Sequence, residues 1–413
     1  RNPEFIGELD VVYNLPFASV CGYVNYISYP ARKTHGLQNR HLSVGASHGN
    51  YYDRRRNEWR WQRPKLFGTT EDLFTQTIVV PYLIPMLEKA GAVVFTPRER
   101  DWQQHEIIID NNDRFHGTSY IEVNGKQKWQ DCGTRGFARH NGSYTDGENP
   151  FVAGTARMTR TTKNKKGYSI VSYQPRLPEE GRYAVYVSYQ TMKNSVDDAR
   201  YTVWHKGGQT EIRVNQRMGG GTWVYLGTFE FDKGSNEFNR VTVTNLSSRK
   251  GVVTTDAVRF GGGMGNIERG GTVSGMPRCL EGARYWAQWA GMPQSVYSTK
   301  NGEDDYGDDI NTRSRMTNYL AGGSCFVPSR EGLGVPIEMA LAIHSDAGYT
   351  KDGEGLIGSL AICTTGYNDG RLDAGISRLA SRDLAQALLD NAARDIKFKY
   401  GKWNKRELYD RNY

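Results

Sequence analysis

Between residues 183 and 260 the sequence contains short segments in which apolar and polar residues alternate, separated by Gly, Asn and Asp. This alternation places apolar side chains on one face of a strand, and glycine-rich turns let neighbouring strands reverse direction. The clearest segments are residues 183–189, 199–205, 210–215, 222–229, 241–244 and 256–260. Short strands at this spacing predict an all-β sandwich, which we place over residues 140–262.

Composition also favours β-strands and tight turns over a large part of the chain. The 413 residues suffice for two domains, and they include 47 glycines, 25 tyrosines and 9 tryptophans. Such usage is typical of many strands, tight turns and aromatic contact surfaces. No apolar run approaches the ~20 residues of a membrane helix, so we predict no transmembrane segment.

The charge distribution limits the classes of partner, whereas the cysteine content says little about the cellular compartment. The formal net charge is +8, but Lys and Arg are scattered among acidic residues, so we predict no nucleic-acid partner. A mild positive field suits an anionic cell-wall polymer. The five cysteines are an odd number without C-x-x-C spacing, so they indicate little about compartment.

Residues 41–97 predict one β-α-β unit. The run from His41 ends in small residues before His48, as a buried strand does when it delivers a side chain to a loop. Hydroxyl and acidic residues at 69–72 then begin a helix that stops at residues 89–91, with Pro81 and Pro85 expected to kink it. Residues 92–97 form the second strand.

Helical and strand patterns resume after the glycine-rich residues 261–265. We predict helices at 279–291, 310–320 and 377–396, and strands at 337–343 and 356–364. The predicted fold is therefore an α/β domain, with a mainly parallel or mixed sheet flanked by helices, interrupted by the sandwich. Its two parts are residues 41–139 and 263–413. Because the chain begins at Arg1 without Met, residues 1–40 are expected to be an incomplete lead-in.

Two histidines and one acid are candidate zinc ligands. His48 and His344 follow separate predicted strands, and Glu71 opens the helix that follows His48. A catalytic zinc keeps three protein ligands and an open position for water. Each residue also has a structural interpretation: His48 as a turn histidine bonded to backbone, and Glu71 as an acid favoured by the helix dipole.

The motifs around these residues resemble the zinc-dependent N-acetylmuramoyl-L-alanine amidase family. They are Ser-His-Gly ending at residue 49, Glu71 at a helix start, residues 87–101, and Ala-Ile-His-Ser-Asp-Ala at 342–347. The sequence departs from the family pattern at Pro97, at Ser47 before the first histidine, and at Asp346, where Asn is usual. The resemblance implies that His48, Glu71 and His344 bind zinc and that an amide of peptidoglycan is hydrolysed.

The resemblance also bears on residues around the metal. Asp346 is a candidate for orienting a ligand, or it is a turn former. Arg98 either contacts an anionic substrate or pairs with Asp101 to shape its loop. The family's general-base Glu lies on a strand after the last helix, and we expect a further C-terminal segment or a second chain to supply it. Glu407 is the nearest carboxylate, in a charged stretch typical of solvated surface.

The predicted sandwich resembles the C-terminal β-sandwich of golvesin-type proteins and of xanthan lyases of that group. Residues 198–203, 222–231 and 255–260 carry this similarity. The resemblance implies binding of peptidoglycan or another anionic cell-surface glycan, and an extracytoplasmic location. Trp59, Trp61, Trp204 and Trp223 are candidates for stacking on sugars, but we assign none of them to a site.

Two alternatives stay open. The chain is either a zinc amidase with a polymer-binding sandwich, or a non-catalytic cell-surface or polysaccharide-binding protein that retains the amidase fold. In addition, the acidic residues 303–309 are either a calcium loop or, more typically for a stretch without D-x-D-x-D-G spacing, a solvated acidic loop.

Overall fold

Most strands of the chain belong to sandwich-like antiparallel sheets. The structure is a computed structural model, and it describes residues 23–26, 36–112, 119–345, 355 and 357–411. The strands, in chain order, are β1 (Val24–Tyr26), β2 (His41–Ala46), β3 (Asn50–Asp53), β4 (Glu58–Trp61), β5 (Val93–Phe95), β6 (Ile107–Asp110), β7 (Ser119–Val123), β8 (Gln130–Gly136), β9 (Gly154–Arg160), β10 (Ile170–Gln174), β11 (Gly181–Val187), β12 (Ala199–His205), β13 (Gly208–Val214), β14 (Val224–Phe231), β15 (Arg240–Thr244), β16 (Val252–Thr255), β17 (Ala257–Phe260), β18 (Met339–Ile343), β19 (Ile362–Cys363) and β20 (Tyr409–Asp410).

Three sheets make up the sandwich region. One has six strands in the order β1-β13-β12-β15-β10-β7, one has four in the order β14-β11-β17-β6, and one has three in the order β16-β9-β8. Their inward-facing residues share one hydrophobic core, in which Tyr201 and Val203 of β12 meet Val185 of β11 and Phe260 of β17. All four are fully buried, so the period-2 pattern correctly predicts which face is inside.

The predicted strands between residues 183 and 260 are confirmed, with ends that differ by a few residues. The sheets also begin upstream of residue 140, where we placed the start of the insertion. Strands β6, β7 and β8 pair with β17, β10 and β9, and β1 pairs with β13. Strand β8 was not predicted from the sequence. Its residues, Gln-Asp-Cys-Gly-Thr-Arg-Gly, are mostly exposed and do not alternate between apolar and polar.

A separate sheet has three parallel strands in the order β18-β2-β5. Every residue of the central strand β2 is buried, as expected for a strand covered on both faces. Its apolar residues Leu42, Val44 and Ala46 form a small core with Val79 and Ile84 from the following helical segment. The predicted β-α-β unit over residues 41–97 is therefore confirmed.

The helices lie outside the sandwich strands in sequence. They are α1 (Glu71–Phe74), α2 (Gln76–Ile78), α3 (Ile84–Lys89), α4 (Ala283–Trp289), α5 (Gln294–Tyr297), α6 (Asp305–Ala321) and α7 (Leu379–Tyr400), with short 3-10 turns at Pro150–Val152 and Arg278–Leu280. Between α2 and α3 the chain forms a π-helical segment, Val79–Leu83. This break contains Pro81, which has no backbone N–H to donate, so the predicted interruption of this helix is confirmed. None of the described helices is long and apolar enough to cross a membrane.

Helix α4 is fully buried and packs into the sandwich core. Trp289 lies edge-on to Phe137 at a centroid separation of 6.0 Å, and it also contacts Tyr144 and Trp223. Aromatic side chains bury large areas, so this contact joins the helical region firmly to the sandwich.

The C-terminal part forms a second, smaller parallel pair. After α7, strand β20 pairs with β19 in parallel register, Ile362 opposite Tyr409. A strand therefore does follow the last helix in the described residues, although it lies beside β19 and not in the sheet β18-β2-β5. Among the described cysteines, Cys132, Cys279, Cys325 and Cys363 are all free thiols.

Candidate metal centre

The parallel pairing of β2 and β18 brings two histidines to one edge of a sheet. β2 ends at Ala46 and β18 at Ile343, and these residues are register partners. The Ser47 amide then donates to the Ile343 carbonyl at 3.0 Å, which extends the ladder past the strand ends. As a result the rings of His48 and His344 lie 4.9 Å apart between centroids.

Glu71 reaches this edge from the first turn of α1. Its Oε1 lies 2.9 Å from His344 Nδ1 and accepts a 3.1 Å hydrogen bond from the Ser345 amide. Its Oε2 lies 3.8 Å from His48 Nε2. The C-terminal end of this short helix is held by Ser47, whose hydroxyl lies 2.6 Å from the hydroxyl of Thr75.

Several polar atoms at this point have no hydrogen-bond partner among the described residues. Both ring nitrogens of His48 and Oε2 of Glu71 are buried without a hydrogen bond, and each of these side chains is 3% exposed. Leaving a buried polar atom unpaired costs about 1–3 kcal/mol, so His48 Nε2 and Glu71 Oε2, which lie 3.8 Å apart, fit a cation bound between them.

The donor set fits a zinc ion. His48, Glu71 and His344 each offer a ligand atom, and these atoms lie within 4.8 Å of one another. Two ligands at ~2.1 Å from one zinc ion are at most about 4.2 Å apart, so only a small closing movement is required. Two imidazoles and one carboxylate leave a fourth tetrahedral position for water.

The surroundings keep His48 neutral. Burial lowers the pKa of His48 to about 2, and the positive charges of Arg313, Arg63 and Arg98 act in the same direction. Neutral imidazole is the form that binds a metal. Burial also raises the pKa of the neighbouring Asp72 to about 6.

Arg98 lies behind the candidate metal centre and holds the loop that carries His48. Its guanidinium donates to the carbonyls of Glu281 and Cys279 at 3.0 and 2.9 Å, and to the carbonyl of His48. Because Arg98 is only 4% exposed, this geometry does not favour the predicted contact with an anionic substrate. Asp101 accepts from the amides of Ala184 and Gln103, at 2.7 and 3.1 Å.

Two arginines that the sequence did not single out also belong to this region. Arg313 on α6 donates to the Ser47 carbonyl at 2.9 Å, and Arg63 Nε lies 3.6 Å from Glu71 Oε2. No local motif marks either residue, because Arg313 and Ser47 are 266 positions apart. The predicted site residue Asp346 lies outside the described residues, and Glu407 is exposed.

The acidic residues at the start of α6 are neutralised within the protein. Asp305 accepts two hydrogen bonds from Arg269, at 2.7 and 2.9 Å, and one from the Tyr285 hydroxyl. Asp308 accepts from the Lys300 amide and lies near Arg284. These carboxylates therefore serve as buried ion-pair partners, which favours neither the calcium loop nor the solvated loop considered from sequence.

Comparison with known proteins supports the predicted sandwich. The Golvesin C-terminal domain family matches residues 134–262. A xanthan lyase from Bacillus sp. (strain GL1) is 41% identical over 97 residues, which are 23% of this chain and 10% of that protein. The chain thus spans about a tenth of the curated relative that it matches.

Two solved structures show weaker similarity. Xanthan lyase from Paenibacillus aligns at 25% identity with a TM-score of 0.28, over 38% of this chain and 13% of that one. A family 11 carbohydrate-binding module from Clostridium thermocellum, in complex with a mixed-linked tetrasaccharide, aligns at 10% identity with a TM-score of 0.22, over 40% of this chain and 98% of that one.

Proposed function

We propose that this chain is a zinc-dependent hydrolase of the N-acetylmuramoyl-L-alanine amidase type that acts on peptidoglycan. The observation that carries the proposal is the set of buried ligand atoms without hydrogen bonds on His48 and Glu71, with His344 beside them. A purely structural cluster would pair these atoms with each other or with backbone, since unpaired buried groups destabilise the fold. The amidase-like α/β core and its substrate follow from the sequence resemblance.

When bound, zinc supplies a Lewis acid for the amide carbonyl and lowers the pKa of a bound water. His48 presents a neutral ring because burial lowers the pKa of its imidazole to about 2. The Ser345 amide orients the Glu71 carboxylate. Arg98 and Arg313 hold the carbonyls of His48 and Ser47, which fixes the loop that carries the first histidine. Asp346 stays a candidate for orienting a ligand, and we assign no proton acceptor among the described residues.

The sandwich has the complementary role of holding the polymer. Its match to the Golvesin C-terminal domain, and its similarity to part of a xanthan lyase, support attachment to a polysaccharide. Peptidoglycan or another anionic cell-surface glycan is the proposed partner, which places the protein outside the cytoplasm. In this scheme the sandwich retains the chain on its substrate, and a zinc ion held by His48, Glu71 and His344 would supply the chemistry for hydrolysis of the amide between muramic acid and L-alanine.

A second candidate is a non-catalytic polysaccharide-binding protein that keeps the amidase fold. What favours it is the location of the family match, which covers the sandwich and not the parallel sheet. The two candidates differ in whether the metal centre takes part in chemistry.

The test measures zinc and product on the same samples. Protein is stripped with a chelator, reloaded, and assayed for zinc per chain and for release of new L-alanine amino termini from purified peptidoglycan. We expect one zinc per wild-type chain, loss of zinc in His344→Ala, and retention in His140→Ala, whose histidine is 46% exposed and paired with Glu148. Equal zinc in wild type and His344→Ala contradicts the ligand assignment. Zinc binding without amine release favours the non-catalytic candidate.

A further inference from the structure

The outer face of the six-stranded sheet carries an unusual set of side chains. Residues on β12 alternate, so that Tyr201 and Val203 point into the core while Arg200, Thr202 and Trp204 lie on the opposite face. The strand register places Arg213 of β13 opposite Arg200, and Arg240 of β15 opposite Trp204. We call Arg200, Arg213, Arg240 and Trp204 the basic face.

The three arginines of the basic face are not neutralised inside the protein. Among the residues that the structure describes, none of them has a hydrogen bond or an ion pair. Their Nε atoms are nevertheless buried. Each guanidinium group is therefore partly desolvated, and no acidic side chain among the described residues pairs with it.

This arrangement has a cost for folding. Arg200 and Arg213 are direct cross-strand partners, so their Cβ atoms are about 4.5–5.5 Å apart, and like charges at that separation are destabilising. Many other arginines among the described residues have a carboxylate or carbonyl partner. Arg157, for example, forms a two-point contact with Glu122 at 2.6 and 3.0 Å. A destabilising pair on an accessible sheet face indicates a role other than stability.

Trp204 adds an aromatic surface to the same face. The Arg240 guanidinium lies 4.7 Å from the centre of its ring, and the indole N–H points to the Thr242 hydroxyl at 3.5 Å. The ring thus lies across the sheet and covers Thr242, which is only 5% exposed. In contrast Trp223 is 6% exposed and belongs to the core, so of these two tryptophans only Trp204 is available to a ligand.

We propose that the basic face binds a polysaccharide that carries carboxylates, such as a uronic-acid polymer. Arginine forks match carboxylates in a two-point geometry, and an aromatic ring offers an apolar surface to the C–H face of a sugar. Arg200 and Trp204 are four positions apart on one strand, about 13 Å, so several sugar units fit between them. The Thr202 hydroxyl lies between the two ends, and Ser172 lies in the same row two strands away; both suit sugar hydroxyls.

A nucleic acid is the competing anionic polymer, and the basic face suits it less. Single-stranded nucleic acids are bound by grooves with successive aromatic platforms, whereas here one tryptophan is present on the face. Glu211 also lies on this face, directly across from Thr202, and its charge does not distinguish a phosphate backbone from a carboxylate polymer. The inference deepens the proposed polymer-binding role of the sandwich and rests on that role, but it does not depend on the metal centre.

The test uses the full chain and three defined polymers: polygalacturonate, neutral dextran and single-stranded DNA. Binding is measured by calorimetry and by retardation in polymer-containing native gels. We expect wild type to bind polygalacturonate with an affinity that falls as salt rises, and to bind the other two at least 10-fold more weakly. Arg200→Gln/Arg213→Gln and Trp204→Ala are each expected to lose at least 10-fold.

Controls separate folding and metal effects from binding. Arg182→Gln changes an arginine that is 70% exposed and paired with Glu230 on the four-stranded sheet, and it should bind as wild type does. The thermal midpoint of Arg213→Gln should equal or exceed that of wild type, since a like-charge contact is removed. Binding should survive chelation and His344→Ala, so failure of the metal proposal leaves this result intact. Equal affinity for dextran, tighter binding of DNA, or unchanged binding by the double variant would each overturn the proposal.

Discussion

Arg259 Nη2 lies 2.8 Å from Glu99 Oε2, and both side chains are completely buried. Arg259 belongs to strand β17 of the sandwich, while Glu99 follows β5 of the parallel sheet. The same guanidinium lies 3.9 Å from the ring centre of Tyr186. Since Glu99 directly follows Arg98, which holds the His48 carbonyl, the sandwich is linked to the candidate metal centre through two consecutive residues.

Removing one partner of this pair should destabilise the fold severely. Arg259→Met leaves Glu99 buried and uncompensated, so we expect a loss of about 3–5 kcal/mol in the free energy of unfolding. Arg182→Met breaks an exposed pair with Glu230 and should change stability by at most about 1 kcal/mol. Denaturant titration of both variants, of Glu99→Gln and of the double variant Glu99→Gln/Arg259→Met measures the coupling. A double variant no more stable than Arg259→Met alone contradicts a direct interaction.

Arg98 should act as a positioning residue for zinc. In Arg98→Lys the single ammonium group cannot contact three carbonyls at once, so the loop that carries His48 is expected to become more mobile. Zinc affinity should then fall about 10–100-fold. Stability should fall as well, because buried carbonyls lose their donors. Competition with a chromogenic chelator measures the affinity. Wild-type zinc affinity in a destabilised Arg98→Lys would show that the residue serves the fold alone.

Glu71 and Asp72 are adjacent buried acids with different expected roles. Glu71→Gln removes a proposed ligand, and because loss of outer support alone costs 10–100-fold, zinc affinity should fall by more than about 100-fold. Asp72→Asn is the matched control, since this carboxylate accepts from the Arg63 amide at 2.9 Å. It should keep most of its zinc affinity. Equal losses in both variants would indicate that buried charge, and not ligation, governs binding.

The buried carboxyl of Asp256 should make stability depend on pH. Burial raises the pKa of Asp256 to about 7, although the Phe137 amide and Ser188 hydroxyl donate to it. Between about pH 4 and 7 the unfolded chain carries an ionised Asp256 while the folded protein keeps it protonated. The folded state therefore binds more protons, and its stability falls as pH rises through this window.

The change amounts to roughly 1.4 kcal/mol for each pH unit that separates the two pKa values. Asp256→Asn should flatten this slope, whereas Asp369→Asn, at an exposed position, should not. Unfolding free energies at several pH values test both variants against wild type. A variant slope identical to that of wild type would rule out Asp256 as the source.

The alternating pattern from residue 183 to 260 was sufficient to predict the sandwich, and the buried run of β2 was sufficient to place His48 at a strand end. Both follow from local periodicity, which reports which side of a strand is buried. β8 and β6 lacked a strong alternation, so their membership of the sheets depended on partners far along the chain.

What the sequence determined by itself is the kind of element and the kind of donor: strand-end histidines and a helix-start acid, in the order 48, 71 and 344. Only the tertiary structure decided that His344 and Glu71, 273 positions apart, are in contact, that Arg98 faces backbone carbonyls, and that Arg200, Arg213 and Trp204 share an outer face. The physical reason is the separation along the chain. The pattern of side chains indicates burial within a few residues, whereas the distances between elements depend on how their apolar faces pack together.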